Sequence, residues 1–348
     1  MNKRAFSNII LILFFLIVSA IGAFYLKPEQ GVDTLRTKKI HGFNLVAPRE
    51  VFLLDSLIKV KATGAEWVAL VPYAFCDATT GEITFDHPRQ WWGEKSEGIK
   101  ESIIMAQSIG LKVMLKPHLW VGGQGWAGDL TFREEALWNN FEDHYLKYIM
   151  NYVKIADSLG VELFCIGTEV RNSTQQRSHF WNLLIDSAKS QYNGKLTYAA
   201  NWDEYTKVSF WEKLDYIGID AYFPLSETKS PEVAELVQAW QGPMKEMQQL
   251  SKVLNKPVLF TEYGYESTDY PGKGHWSVDK DTLDVNFLAQ KAAFEAVYQT
   301  FNNQSWWSGG FIWKWHLTQN GLHSRTIKAY TPQNKAAMEV IKKAFEEE

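Results

Sequence analysis

Two apolar runs in this chain end in a glutamate: residues 163–169 (LFCIGTE) close on Glu169, and residues 258–262 (VLFTE) close on Glu262. A carboxylate that arrives only at the tip of a buried strand sits at the mouth of a parallel sheet, where α/β proteins keep their chemistry. Burying such a group is costly without partners, so a pair there usually has a use. Two carboxyl groups converging on one cleft suit cleavage of a glycosidic bond. One must be protonated near neutral pH to donate to the departing oxygen. The other must be ionised to attack the anomeric carbon. Like charges close together push the two pKa values apart, which supports the division of labour. Double displacement uses a separation of about 5 Å, which tips on opposite sides of a barrel mouth can meet.

The elements that would position this pair alternate along the chain. Apolar strand-like runs occur at 42–46, 67–73, 112–118, 163–169, 196–201, 216–222, 258–262 and 310–313. Helix-like segments lie at 49–63, 94–109, 132–159, 177–191, 204–213, 231–254, 281–301 and 333–345. Glycines at 64, 110 and 160 follow the first three helical patterns, the usual C-terminal signal. Eight strands alternating with eight helices predict a (β/α)8 TIM barrel as a single domain over 40–348. A doubly wound open sheet would want a Gly-rich phosphate turn after the first strand, and 44–49 (NLVAPR) offers none. The Gly-rich stretch 121–128 (VGGQGWAG) follows the third strand and lacks the Lys-Ser/Thr of a phosphate loop.

The strand ends are rich in functional side chains. In order they carry Asn44, Tyr73, His118 with Trp120, Thr168 with Glu169, Asn201 with Trp202, Asp220 with Tyr222, Glu262, and Trp313. His118 either faces the cleft or bonds neighbouring strands; Asp220 either reaches the cleft or lies beneath it in a polar network; Tyr222 either serves the site or caps the barrel. The chain holds 15 Trp and is 14% aromatic. Indoles offer flat apolar faces with a polar edge, which suits the C–H faces of sugar rings. Trp91, Trp92, Trp120, Trp126, Trp202 and Trp276 all fall in loops that would surround the barrel mouth.

Composition narrows the remaining classes. Apolar residues are 46%, charged residues 22%, and net charge is −4, with no basic stripe, so nucleic acid is not an expected partner. Cys76 and Cys165 lie in or just after apolar runs and read as buried free thiols, although a disulfide between them is compatible with the sequence. No metal-ligand spacing is present, and no metal or organic cofactor is expected. Asn172-Ser173-Thr174 matches a glycosylation sequon, but a glycan so close to Glu169 would crowd the cleft. Lys3 and Arg4 precede an apolar run from Ile9 to about Tyr25. Residues 1–26 read as an export signal that is either cleaved or kept as a membrane anchor, and 27–39 as a polar linker. The expected location is outside the cytoplasm, secreted or tethered at the cell envelope.

In detail the segments WVALVPY (67–73), MLKPH (114–118), IGTE (166–169), YIGIDAY (216–222), FTEYGY (260–265) and FIWKW (311–315) resemble glycoside hydrolase family 113 of the retaining clan A. Characterised members of that family are mainly endo-β-1,4-mannanases. The resemblance implies that Glu169 is the acid/base, Glu262 the nucleophile, Tyr222 a support for the nucleophile, and Trp313 the floor under the sugar that is cleaved. Their places at the strand ends and in the loops around the mouth make Asn44, Tyr73, His118, Trp120, Thr168, Asn201 and Trp202 the expected substrate-binding neighbours. Most of the clan places Asn before the acid/base; here Thr168 stands there, leaving the 2-hydroxyl contact to its shorter hydroxyl, to Asn201 or to His118. The reading is a retaining hydrolase acting on β-1,4-mannan or manno-oligosaccharides. The alternatives are the same machinery on another β-glycan such as a glucan, and a surface barrel that binds glycan without cutting it.

Overall fold

The computed structural model describes residues 38–346, apart from 124, 278, 280, 281, 319, 320 and 325. The expected signal or anchor segment and most of the linker lie outside the described residues. Among the described residues no helix is long and apolar enough to cross a membrane.

Eight parallel strands close into the expected barrel. They are β1 (Ile40–Leu45), β2 (Trp67–Leu70), β3 (Lys112–Leu115), β4 (Leu163–Thr168), β5 (Lys195–Asn201), β6 (Ile217–Asp220), β7 (Val258–Tyr263) and β8 (Trp307–Trp315). Each pairs with the next, and β8 closes onto β1 with Ile40 opposite Gly309 and Asn44 opposite Trp313. Side chains alternating inward from the strands fill the barrel axis with Ile40, Ala69, Met114, Leu163, Cys165, Ala199, Leu259 and Phe311. A second, larger apolar layer lies between barrel and helices. Both cysteines are buried free thiols.

The helices are Asp55–Lys61, Ser96–Ser108, Glu135–Ser158, Arg171–Gln176, Ser178–Gln191, Val233–Leu254, Phe287–Phe301 and Ala337–Glu346. Gly64, Gly110 and Gly160 end the first three with φ of 89°, 74° and 61°, as their positions implied. One expected helix is absent. Residues 204–213 form two 3-10 turns, Tyr205–Lys207 and Trp211–Lys213. Thr206, Val208 and Ser209 are weak helix formers, and the Trp211 indole instead donates to the Tyr205 carbonyl at 2.8 Å.

The second and third strands are also shorter than expected. They leave the barrel at Leu70 and Leu115, just before Val71-Pro72 and Lys116-Pro117. A proline has no N–H for the ladder, so neither strand extends through it. Both chains turn into a separate three-stranded sheet, where Tyr73–Asp77 pairs in parallel with His118–Gly122 and antiparallel with Ile83–Thr84. This flap carries Tyr73, His118 and Trp120 up one wall of the barrel mouth.

Candidate active site

Glu169 follows directly on β4. Gly167, two residues earlier, is required by close packing: a Cβ there would lie 2.6 Å from the Tyr145 hydroxyl and 2.8 Å from the Trp181 ring. Glu169 itself has φ of 51°, a left-handed conformation uncommon for a residue with a side chain and one that tends to mark functional positions. Its amide donates to the Ala199 carbonyl at 2.8 Å, and its Oε2 accepts from the Trp126 indole at 2.6 Å. Burial holds the carboxyl well above the usual range, and negative charge on its neighbours, Asp220 when ionised and Glu262, pushes it further up. Both influences bias Glu169 toward its neutral form.

Glu262 lies near the end of β7 and is biased the other way. Its Oε1 accepts from the buried Lys116 ammonium, and its Oε2 from the Tyr222 hydroxyl at 2.7 Å. His118 Nε2 stands 3.3 Å from Oε1 without the alignment of a hydrogen bond. Burial alone would raise the Glu262 pKa, but the Lys116 charge, with His118 beside it, outweighs burial and holds the carboxylate below its ordinary value. His118 is itself pushed down to about 4 by burial and by Lys116, so its ring is neutral at pH 7. That ring stacks on Trp313 with centroids 5.8 Å apart and planes 3° from parallel, and meets Tyr73 edge-on at 5.1 Å. The Trp313–Lys314 peptide is cis.

Beneath the pair lies Asp220, fully buried at the end of β6. Its Oδ1 accepts from Thr261 Oγ1 at 2.7 Å and stands 3.5 Å from Lys116 Nζ. Burial and the Glu262 charge raise its pKa well beyond the carboxylate range, against the pull of Lys116. So one ammonium lies against Glu262 and draws its pKa down, while burial draws those of Glu169 and Asp220 up.

Tyr73, His118, Trp120, Thr168, Asn201, Trp202, Tyr222 and Trp313 line a cavity of about 690 Å³ with Glu169 and Glu262. The Thr168 hydroxyl lies 3.5 Å from the Pro117 carbonyl. Asn201 uses its side-chain oxygen on the Trp202 amide at 2.9 Å. Trp202 stacks on Trp276, 5.6 Å between centroids and 8° from parallel, at the cleft edge. A second cavity of about 830 Å³ shares Tyr73, Trp120 and Trp313 with the first and extends the cleft past Trp91 and Arg89. Trp92, by contrast, turns inward onto Phe52. Asn44 is the one predicted binding residue that the structure does not bring to the cleft. It is fully buried, and its amide nitrogen donates to the carbonyls of Thr261 and Phe311 at 3.1 and 3.2 Å, tying β1 to β7 and β8.

Sequence reasoning passed over Lys116 as a site residue and gave Trp126 only a role in the cleft wall. A lysine inside the apolar run VMLKPH was the available signal for the first, since such a charge is almost never buried unpaired. Nothing in the loop sequence marked the second.

Two buried carboxyl groups sharing one cleft at a barrel mouth are the arrangement that glycoside hydrolases use. The chain belongs to Glycoside Hydrolase Family 113, whose model matches residues 51–335. No curated protein sequence matches it. Among solved structures it is similar to the GH113 β-mannanase AaManA of Alicyclobacillus acidocaldarius in complex with ManMIm, at 22% identity and a TM-score of 0.78, over 88% of this chain and 97% of that one. A further GH113 β-1,4-mannanase matches at 23% identity and a TM-score of 0.74, over 89% and 100%. The β-glucuronidase of Ruminococcus gnavus matches at 16% identity and a TM-score of 0.60, over 89% of this chain and 50% of that one.

Proposed function

We propose that this glycoside hydrolase cleaves β-1,4-mannan or manno-oligosaccharides with retention of configuration. Glu262 attacks the anomeric carbon from its Lys116- and Tyr222-bound carboxylate. Glu169, neutral in the free enzyme, gives its proton to the leaving oxygen, then takes one from the water that releases the sugar. The ionisation split between the two glutamates carries this reading: a nucleophile must be charged and an acid must not be, and burial with one shared ammonium supplies both. Trp313 offers the apolar floor for the sugar at the reaction centre. The choice of mannan rests on membership of the family and on likeness to the β-mannanases. The apolar segment at the N-terminus supports a site of action outside the cytoplasm, with residues 40–348 as the catalytic domain.

The test is to incubate the purified protein with β-1,4-mannan and with a β-1,4-glucan, following reducing ends and product anomers by proton NMR. Products from mannan, released first as the β-anomer, are expected. Glucan cleavage without mannan cleavage would overturn the substrate, and initial α-anomer would overturn the double displacement. Glu169→Ala and Glu262→Ala are each expected to abolish turnover of the polysaccharide; near-normal hydrolysis by either folded variant would sink the assignment.

A further inference from the structure

The Trp126 indole has a consequence for proton placement. An indole N–H is a donor and never an acceptor. Since it donates to Glu169 Oε2 at 2.6 Å, and the carbonyl oxygen is the better acceptor of a neutral carboxyl, the bond favours Oε2 as the carbonyl and Oε1 as the oxygen that carries the proton. The indole is held from both sides. The Arg171 guanidinium lies 4.6 Å from its ring centre, fixed in turn by Asp129 at 2.8 Å and Asp203 at 3.2 Å. On the other side Gly128 lets the ring pack onto the backbone, where a Cβ would stand 2.5 Å from it. Arg171 follows Glu169 by two residues and Asp129 belongs to the loop of Trp126, so the clamp ties the carboxyl to the indole locally.

We propose that Trp126 is a positioning residue for the acid/base, confining the transferable proton of Glu169 to Oε1 and, after its departure, stabilising the carboxylate through the same N–H. This rests on the reading of Glu169 as acid/base. In the first step the Oε1–H bond breaks and the proton joins the glycosidic oxygen, which takes the electron pair of its bond to the anomeric carbon as Glu262 bonds to that carbon. Glu169 is left ionised with its Oε2 already bonded. In the second step water gives its proton back to Glu169 as its oxygen displaces Glu262.

The other charged or titratable groups facing Glu169 are Glu262, Asp220 and Lys116 from the barrel and the Tyr73 and Tyr330 hydroxyls across the cleft. None of them changes in Trp126→Phe, which keeps a six-membered aromatic ring for Arg171 and removes the N–H together with the five-membered ring that carries it. Two β-mannosides are compared, one with a 2,4-dinitrophenyl leaving group that needs no proton and one with a poor phenol that does. For Trp126→Phe, kcat/KM on the poor leaving group is expected to fall about 10- to 100-fold, the range of one charge-assisted hydrogen bond. On dinitrophenyl mannoside it stays within about twofold of the parent, since no proton is transferred there. The basic limb of kcat/KM moves to higher pH, because a lost donor to the carboxylate raises its pKa. Gly128→Ala, which displaces the ring without altering it, is expected to give the same pattern. Equal losses on both substrates, or an unmoved basic limb, would reduce Trp126 to a wall of the cleft and overturn the proposal. Glu169→Ala separates the two levels. If it shows leaving-group dependence and Trp126→Phe does not, only the present inference falls. If Glu169→Ala shows none, the acid/base reading falls and this inference with it.

Discussion

Replacing Lys116 by Met removes a fully buried ammonium while keeping most of the side-chain volume. Two carboxyl groups feel the loss: Glu262, which Lys116 bonds directly, and Asp220, 3.5 Å away. An opposite charge at this range depresses a carboxylate pKa by about 1–3 units, each unit worth about 1.4 kcal/mol. Without it, burial is left as the dominant influence and Glu262 moves upward. The acidic limb of kcat/KM is therefore expected to rise by about 1–3 pH units, which at a pH below the new value means a loss of about 10- to 1,000-fold. Stability responds with a definite sign. A depressed folded-state pKa contributes stability above the ordinary carboxylate range and loses it as pH falls through the folded value. Removing one partner of a buried pair costs about 3–5 kcal/mol. Lys116→Met should thus lose most stability near pH 7 and progressively less as pH falls toward about 2, where Glu262 begins to take up a proton in the parent as well. The assays are a pH profile of initial rates on mannan and thermal melts at the same pH values. A folded variant whose acidic limb stays in place would refute the view that Lys116 keeps Glu262 ionised.

Three further outcomes follow from the same geometry. Tyr222→Phe removes the 2.7 Å bond to Glu262 Oε2 and should lower kcat/KM by about 10- to 100-fold, the range of one hydrogen bond to a charged group, with the acidic limb shifted up and little change in melting temperature. Asn44→Ala should leave KM unchanged but lower stability by about 1–3 kcal/mol in denaturant melts, since two buried strand carbonyls lose their donor. Asp220 has a raised folded-state pKa, so the folded protein binds its proton more tightly and stability falls as pH rises from about 4 upward. Asp220→Asn, always neutral, should flatten that fall in melts between pH 5 and pH 8.

The barrel was readable because its signals are local. An apolar run that acquires its only charge at the end marks both a strand and a tip, which is how Glu169 and Glu262 stood out. Helical periodicity followed by Gly64, Gly110 and Gly160 marked the crossovers. The errors had local causes too: Pro72 and Pro117 were passed over as the points where two strands leave the barrel, and the weak helix formers of 204–213 were taken as a helix. Asn44 was misplaced for a different reason. Position at a strand tip does not say whether a side chain rises into the cleft or turns down to neighbouring carbonyls, and only the closed register of β1 against β8, with β7 one strand further on, settles that.

Residue types and their spacing are therefore enough to establish an eight-fold barrel with two glutamates at its mouth. They do not say which glutamate is charged. A carboxyl pKa depends on burial and on charges within a few ångströms. The group that holds Glu262 ionised comes from the end of β3, 146 residues away in the chain, and the indole on Glu169 comes from a loop 43 residues before it. Only closure of the barrel brings these groups together, and with them the different chemistry of two otherwise identical side chains.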